Sequence, residues 1–171
     1  MVDVQSCELT KYPAGVLGEK AKPVEEINDN IRQLAEKMVD IMIESKGVGL
    51  AGPQAGVNLR IFVASEDGTR DKSKVYINPE IELSGKVIAD EEGCLSLPGI
   101  YAKMRRYEKA TVTATDLQGN RFTETGEGLK ARIFQHECDH LDGTMIKDKL
   151  NRVQMISAKK KLKRLEEDYS E

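Results

Sequence analysis

The amino-acid sequence predicts an α+β fold. Mainly antiparallel sheets pack around a central helix carrying an HExxH motif, with one helix near the N-terminus and one at the C-terminus. Three observations predict it. An apolar stripe of helical period lies near the N-terminus. Short β-branched segments fill the middle, joined by connections too brief for crossover helices. Two further helical stretches follow. This order is not the strand–helix alternation of a parallel sheet.

Pro13, Gly15 and Gly18 break any period in the first twenty residues. The first helix is expected from Val24 to Ser45, where Ile27, Ile31, Leu34, Met38, Ile41 and Met42 form one apolar face. Pro23 suits its start and Gly47 its stop. Strands are expected between Leu59 and Thr125: Leu59–Ala64, then the pairs Val75/Ile77, Ile81/Leu83 and Val87/Ala89, then Lys109–Thr115. Leu117–Asn120 reads as a turn before a strand over Arg121–Glu124. A second helix fits Glu127–Leu141, with Gly143 as its stop. A third fits Arg152–Asp168, with Asn151 as N-cap. On the third, Val153, Ile156 and Leu162 or Leu165 project inward and the basic residues outward.

The 171 residues suit a single catalytic domain, 1–171, with 151–171 as a helical tail. The net charge of −3, from 26 basic and 29 acidic residues, argues against a dedicated nucleic-acid binder, so no DNA partner is expected. No apolar stretch approaches the ~20 residues of a membrane span, so no membrane partner is expected either. The start, MVDVQSCELT, lacks a basic region followed by an apolar one. Cys7, Cys94 and Cys138 cannot all pair with one another. Reduced thiols and a cytoplasmic location are the expectation.

Only two histidines occur, and they frame His136-Glu137-Cys138-Asp139-His140. On a helix, residues four apart share a face, so both imidazoles reach one metal ion at ~2.0–2.1 Å. Glu137 emerges beside that ion and is placed to shuttle a proton. Extended zinc-protease motifs add a third histidine six residues on, but that position is Ile146. Glu166 and Glu167 lie in a charge-rich tail. Cys138 points off the two-histidine face, and Cys7 sits in an irregular terminus. Elimination leaves Cys94, giving a His₂Cys set with an open fourth position. Cys94 lies in one of the two longest uncharged runs, Gly47–Leu59 and Gly93–Ala102. Such glycine-rich runs either wall a cleft or form buried loops.

Three motifs, Gly47-Val48-Gly49-Leu50-Ala51-Gly52-Pro53-Gln54, Glu92-Gly93-Cys94-Leu95-Ser96 and the HExxH segment, stand in an order and spacing that resemble the peptide deformylase family. The similarity runs from about Lys22 to Leu150. The resemblance implies a hydrolase that removes the formyl group from N-formyl-Met nascent peptides. It implies one divalent metal on Cys94, His136 and His140: Fe²⁺ in the cell, with Zn²⁺, Ni²⁺ or Co²⁺ able to substitute. Glu137 would be general base and then general acid. Gln54 and the Leu95 N–H would stabilise the oxyanion. Gly47, Val48, Gly49 and Gly93 would meet an extended peptide, and Leu129, Arg132 and Ile133 would line the methionine pocket with His136. Without the resemblance, Gln54 reads as a polar capping residue, and Leu129 and Ile133 as core. The Arg132 stem would line the pocket mouth while its head group stays wet. Glu92 and Asp139 are candidate partners for the metal-bound imidazoles, with Arg106 pairing to one of them.

Some positions depart from the family pattern. Gly52 replaces a customary alanine and would loosen the turn that aims Gln54. Tyr101 stands where close relatives often have arginine, and the Tyr12–Gly18 segment is only faintly family-like. The resemblance further implies docking of the basic tail on the ribosome. Two rival readings are a zinc endopeptidase and a non-catalytic binder of formyl-peptides. The missing third histidine opposes the first, and the set of Gln54, Cys94 and Glu137 opposes the second.

Overall fold

The computed structural model describes residues 1–169. The predicted tail runs on to Ser170 and Glu171, which lie outside the described residues. The elements are α1 (Asp29–Glu44), β1 (Gly49–Ala51), β2 (Ile61–Ala64), β3 (Lys74–Gly93), β4 (Tyr101–Thr115), β5 (Arg121–Glu127), α2 (Leu129–Leu141) and α3 (Arg152–Asp168). Short 3₁₀ turns occupy Val4–Ser6, Gly15–Gly18, Gly52–Ala55 and Ile146–Lys149. The strands form one antiparallel sheet in sequence order, β1-β2-β3-β4-β5. The α+β expectation is met.

α1 starts later than Pro23 suggests. The Asn28 side chain accepts the Ile31 N–H at 3.1 Å and fixes the N-terminus there. Upstream, Val24 exchanges two 2.8 Å hydrogen bonds with the Asn78 side chain, which takes its backbone out of a helix. At the other end the left-handed residue is Lys46 (φ 58), not Gly47. Gly47 N–H closes the turn onto Met42 O at 2.9 Å. Gly47 serves a different need. A Cβ there would lie 2.6 Å from the Leu95 side chain.

The three short apolar pairs between Val75 and Ala89 fuse into β3, a strand of 20 residues. Its first residues pair with β2 and almost its whole length with β4, with register shifts after Ile77 and Ser84. β1, which the sequence reading left inside an uncharged loop, pairs with β2 through Leu50↔Val63. Two apolar layers result. α1 packs with Leu50, Ile61, Val63 and Ile77. α2 packs with Phe62, Tyr76, Ala110 and Val112 through Ala131, Phe134, Cys138 and Leu141. Phe62 stacks on Tyr76 at 4.5 Å, and Phe134 meets the Tyr76 edge at 5.3 Å.

Glu127 is the last residue of β5, so α2 begins after Gly128, whose φ of 58 turns the chain. α2 ends as expected: Gly143 is left-handed (φ 76), and a Cβ there would meet Gly18 O at 2.8 Å. α3 matches its predicted bounds, and Asn151 and Gln154 cap each other reciprocally at 2.9 and 3.0 Å. Its inward face differs from the prediction. Val153 and Ile156 are 72% and 68% exposed, whereas Ala158 and Leu162 are buried and Leu165 packs beside them. Two polar anchors set this rotation: Gln154 Nε2 on Lys103 O at 3.0 Å and Lys161 Nζ on Gly99 O at 2.6 Å. Among the described residues, no helix is long and apolar enough to cross a membrane.

Candidate active site

α2 carries its apolar residues toward the sheet and presents His136 and His140 on another face, with Nε2 atoms 3.1 Å apart. The loop after β3 brings Cys94 Sγ to 3.3 Å from His140 Nε2. The three donor atoms all lie within 4.8 Å of one another. Two ligands at ~2.05 Å in tetrahedral array are separated by ~3.3 Å, so these donors fit one ion. Burial opposes charge on His136, yet Cys94 and Glu92 raise its pKa to about 10. Burial and the charge of His136 hold His140 well below the ordinary histidine range. One thiol and two imidazoles so close together form a donor set that suits a divalent cation.

Glu92, at the end of β3, orients His136 by accepting its Nδ1 at 3.1 Å. Arg106, only 3% exposed, grips Glu92 with two bonds of 2.9 and 3.0 Å and reaches Asp139 at 2.6 Å. Burial pushes the Glu92 carboxyl up, but His136 and Arg106 outweigh it and hold it at about 2. Asp139 binds Arg106 and Lys149, not an imidazole. His140 Nδ1 has no partner among the described residues. Of the two candidate imidazole partners, only Glu92 fills the role.

Glu137 is buried, its Oε2 is without a partner among the described residues, and burial pushes its carboxyl up to about 7. It fits because the facing residue is Gly49: a Cβ there would lie 2.5 Å from Glu137 Oε1. Gln54 is no loose polar residue. Its Oε1 accepts the Ala51 N–H at 2.9 Å, and its Nε2 donates to Ser96 Oγ at 3.3 Å while lying 3.6 Å from Cys94 Sγ. The Gly52 turn is tight rather than loosened, since a Cβ on Gly52 would collide with the Leu59 carbonyl and lie 3.0 Å from Val57 O.

A cleft of about 680 Å³ opens above this cluster. Gln54, Cys94, Leu95, His136 and Glu137 line it, as do all seven predicted peptide-contacting residues: Gly47, Val48, Gly49, Gly93, Leu129, Arg132 and Ile133. Gly93–Ala102 is thus largely cleft wall, whereas Gly47–Leu59 lines the cleft only through Gly47, Val48, Gly49 and Gln54 and is otherwise mostly buried. His140 sits behind the wall, fully buried. The Arg132 head group is not wet as expected. The side chain as a whole is only 12% exposed, and its guanidinium pairs with Glu92 at 2.9 Å and donates to Ile88 O at 2.6 Å.

Two supporting roles escaped the sequence reading, one of them for a residue, Ser96, that stood inside one of the three motifs. Ser96 joins Gln54 to the N-terminal segment through Thr10 O at 2.7 Å. Gln135 pins α2 to β4 by bonding both Tyr107 N and Tyr107 O. A polar residue on the sheet-facing side of an otherwise apolar helix face was the available signal for Gln135.

A thiolate and two imidazoles beside a buried, elevated carboxylate, on an α+β scaffold with a peptide-sized cleft, define a metal-site hydrolase of the HExxH type. The family model for polypeptide deformylase matches residues 6–155. A peptide deformylase of Symbiobacterium thermophilum is 44% identical over 150 residues, covering 88% of this chain and 69% of that protein. The rice chloroplastic peptide deformylase 1B is 36% identical over 167 residues, and the chain spans 62% of its greater length. The crystal structure of a peptide deformylase from Legionella pneumophila superposes with a TM-score of 0.88 at 41% identity, covering 96% of this chain and 99% of that one. The chain belongs to the polypeptide deformylase family.

Proposed function

We propose that the cleft hydrolyses the formyl amide of N-formyl-Met nascent peptides, releasing formate. The observation that carries this reading is the convergence of Cys94, His136 and His140 on one point beneath Gln54 and beside Glu137. A divalent ion bound there supplies Lewis acidity and makes a water nucleophilic near neutral pH. Thiolate and imidazole donors suit Fe²⁺, which we assign as the ion used in the cell, and accept Zn²⁺, Ni²⁺ or Co²⁺.

Glu137, with its carboxyl near 7, takes the proton of the attacking water and returns it to the leaving amine. The Gln54 amide, fixed by Ala51 and Ser96, and the Leu95 N–H donate to the oxygen of the formyl group as it becomes negative. Gly47, Val48, Gly49 and Gly93 offer main-chain groups to an extended peptide. Leu129, Ile133 and the Arg132 stem receive the methionine side chain.

Residues 1–171 act as one catalytic domain, since α3 shares a cluster with Leu97, Ile100 and Cys94. The exposed Lys159, Lys160, Lys163 and Arg164 support docking of the tail on ribosomal RNA. Three free cysteines suit a reducing compartment, and we place the enzyme in the cytoplasm.

The test is formate release from formyl-Met-Ala-Ser by anaerobically purified protein of known metal content. Turnover by the wild type, lost in Glu137→Ala with metal retained, is expected. No turnover by fully metallated wild type would overturn the reading.

A further inference from the structure

We propose that Arg132 is a positioning residue for the reaction: it locks the Glu92 carboxylate that aims His136. This rests on Cys94, His136 and His140 holding the metal. Each Glu92 oxygen accepts two donors. Oε1 takes His136 Nδ1 at 3.1 Å and Arg106 Nη2 at 3.0 Å; Oε2 takes Arg106 Nε at 2.9 Å and Arg132 Nη1 at 2.9 Å. Arg106 alone fixes the carboxylate along one edge. Arg132 approaches Oε2 from α2, the helix that also carries His136, and so sets the carboxylate and the imidazole against the same element.

The rest of its guanidinium braces the strands on either side. Nη2 donates to Ile88 O in β3 at 2.6 Å and Nη1 to Met104 O in β4 at 3.2 Å. One planar, always-charged fork thus ties α2, β3 and β4 together beside the metal ligand. A lysine offers a point charge without that fork. Arg132 also lines the cleft, where we assign the contact to its stem. The two parts of the side chain therefore have separable duties: the stem contacts what binds, and the head orients His136.

The experiment compares wild type with Arg132→Met, which keeps an apolar stem, and Arg132→Lys, which keeps the charge. Each is loaded with Co²⁺. Three readouts are taken: the visible absorption of the bound cobalt, the rate of cobalt loss to a chelator, and kcat and KM separately. Removal of an outer hydrogen-bond partner of a metal ligand costs about 10–100-fold in affinity or activity. Arg132→Met is expected to shift the cobalt bands, release cobalt about tenfold faster and lower kcat about tenfold, with KM within about twofold. Arg132→Lys is expected to fall between. An unshifted cobalt spectrum and unchanged release, with only KM raised, would show Arg132 to be pocket wall alone and overturn the proposal. If Arg132→Met does not fold, the same readouts on Arg132→Lys decide. The cobalt readouts need no substrate, so they report on Arg132 even where formyl-peptide turnover fails.

Discussion

α2 and α3 are both amphipathic helices with well-formed boundaries, yet α2 buries eight of its 13 residues and α3 two of its 17. α2 is covered on both sides. The sheet takes Ala131, Phe134 and Cys138, while the cleft and the Glu92–Arg106 ion pair take the opposite face. α3 lies on one side only, steered by Gln154 and Lys161. The difference teaches where apolar periodicity predicts orientation. It does so for a helix closed in on two sides, and it fails where a few polar anchors choose the face.

The largest expected effect lies on the polar side of α2. Glu137→Gln should lower kcat by about 10²–10⁴-fold with metal content unchanged, as loss of a general acid–base group does; formate release with metal analysis checks it. A near-normal rate would break the contrast, since it would leave the buried carboxylate a packing group. On the apolar side, Phe134→Ala should cost about 3–5 kcal/mol in urea unfolding, because the side chain is fully buried against the rings of Phe62 and Tyr76.

A third test concerns charge. Glu92 is held at about 2 in the folded protein, below the ordinary carboxylate value of ~4.3. Its folded value is depressed, so its contribution is complete above about pH 4.3 and fades as pH falls toward 2. In urea unfolding of the metal-free proteins, the stability advantage of wild type over Glu92→Gln should be largest near neutral pH and shrink as pH falls from about 4 toward 2. The ion pairs of α3, Lys163–Glu167 and Arg164–Asp168, are 3.8 Å apart and exposed. Lys163→Ala should move the urea midpoint hardly at all.

The smallest effects sharpen the comparison most. Leu162→Ala should cost about 2 kcal/mol, while Val153→Ala and Ile156→Ala should each fall within about 0.5 kcal/mol of wild type. Equal costs at all three positions would mean that the outer face of α3 is covered in solution.

The same logic separates what the sequence disclosed from what it hid. The HExxH face was legible because it needs one residue type at one spacing, and Cys94 because the other donors could be eliminated; Gln54 was legible only through the family resemblance, and the glycine-rich runs read equally well as buried loops. α2 and α3 were legible at their ends because Gly143 and Asn151 act locally. β1 was hidden because its three residues are strand only through pairing with β2. The start of α1 was hidden because Asn78, far along the chain, competes for the backbone of Val24. The Glu92-paired head of Arg132 was hidden for a related reason. Nothing near it in sequence announces that Glu92, forty positions earlier, will be there to receive it.

Three of the glycines that line the cleft each stand against a different working part: Gly47 against the Leu95 side chain, Gly49 against the Glu137 carboxylate and Gly93 against the Tyr101 ring. They amount to three independent adjusting screws. A single methyl added at 49 displaces the proton carrier, at 47 it nudges the segment holding an oxyanion donor, and at 93 it swings an aromatic shelf at the rim. Alanine at these positions, one at a time, would detune chemistry, charge stabilisation and peptide entry separately without replacing a reacting group.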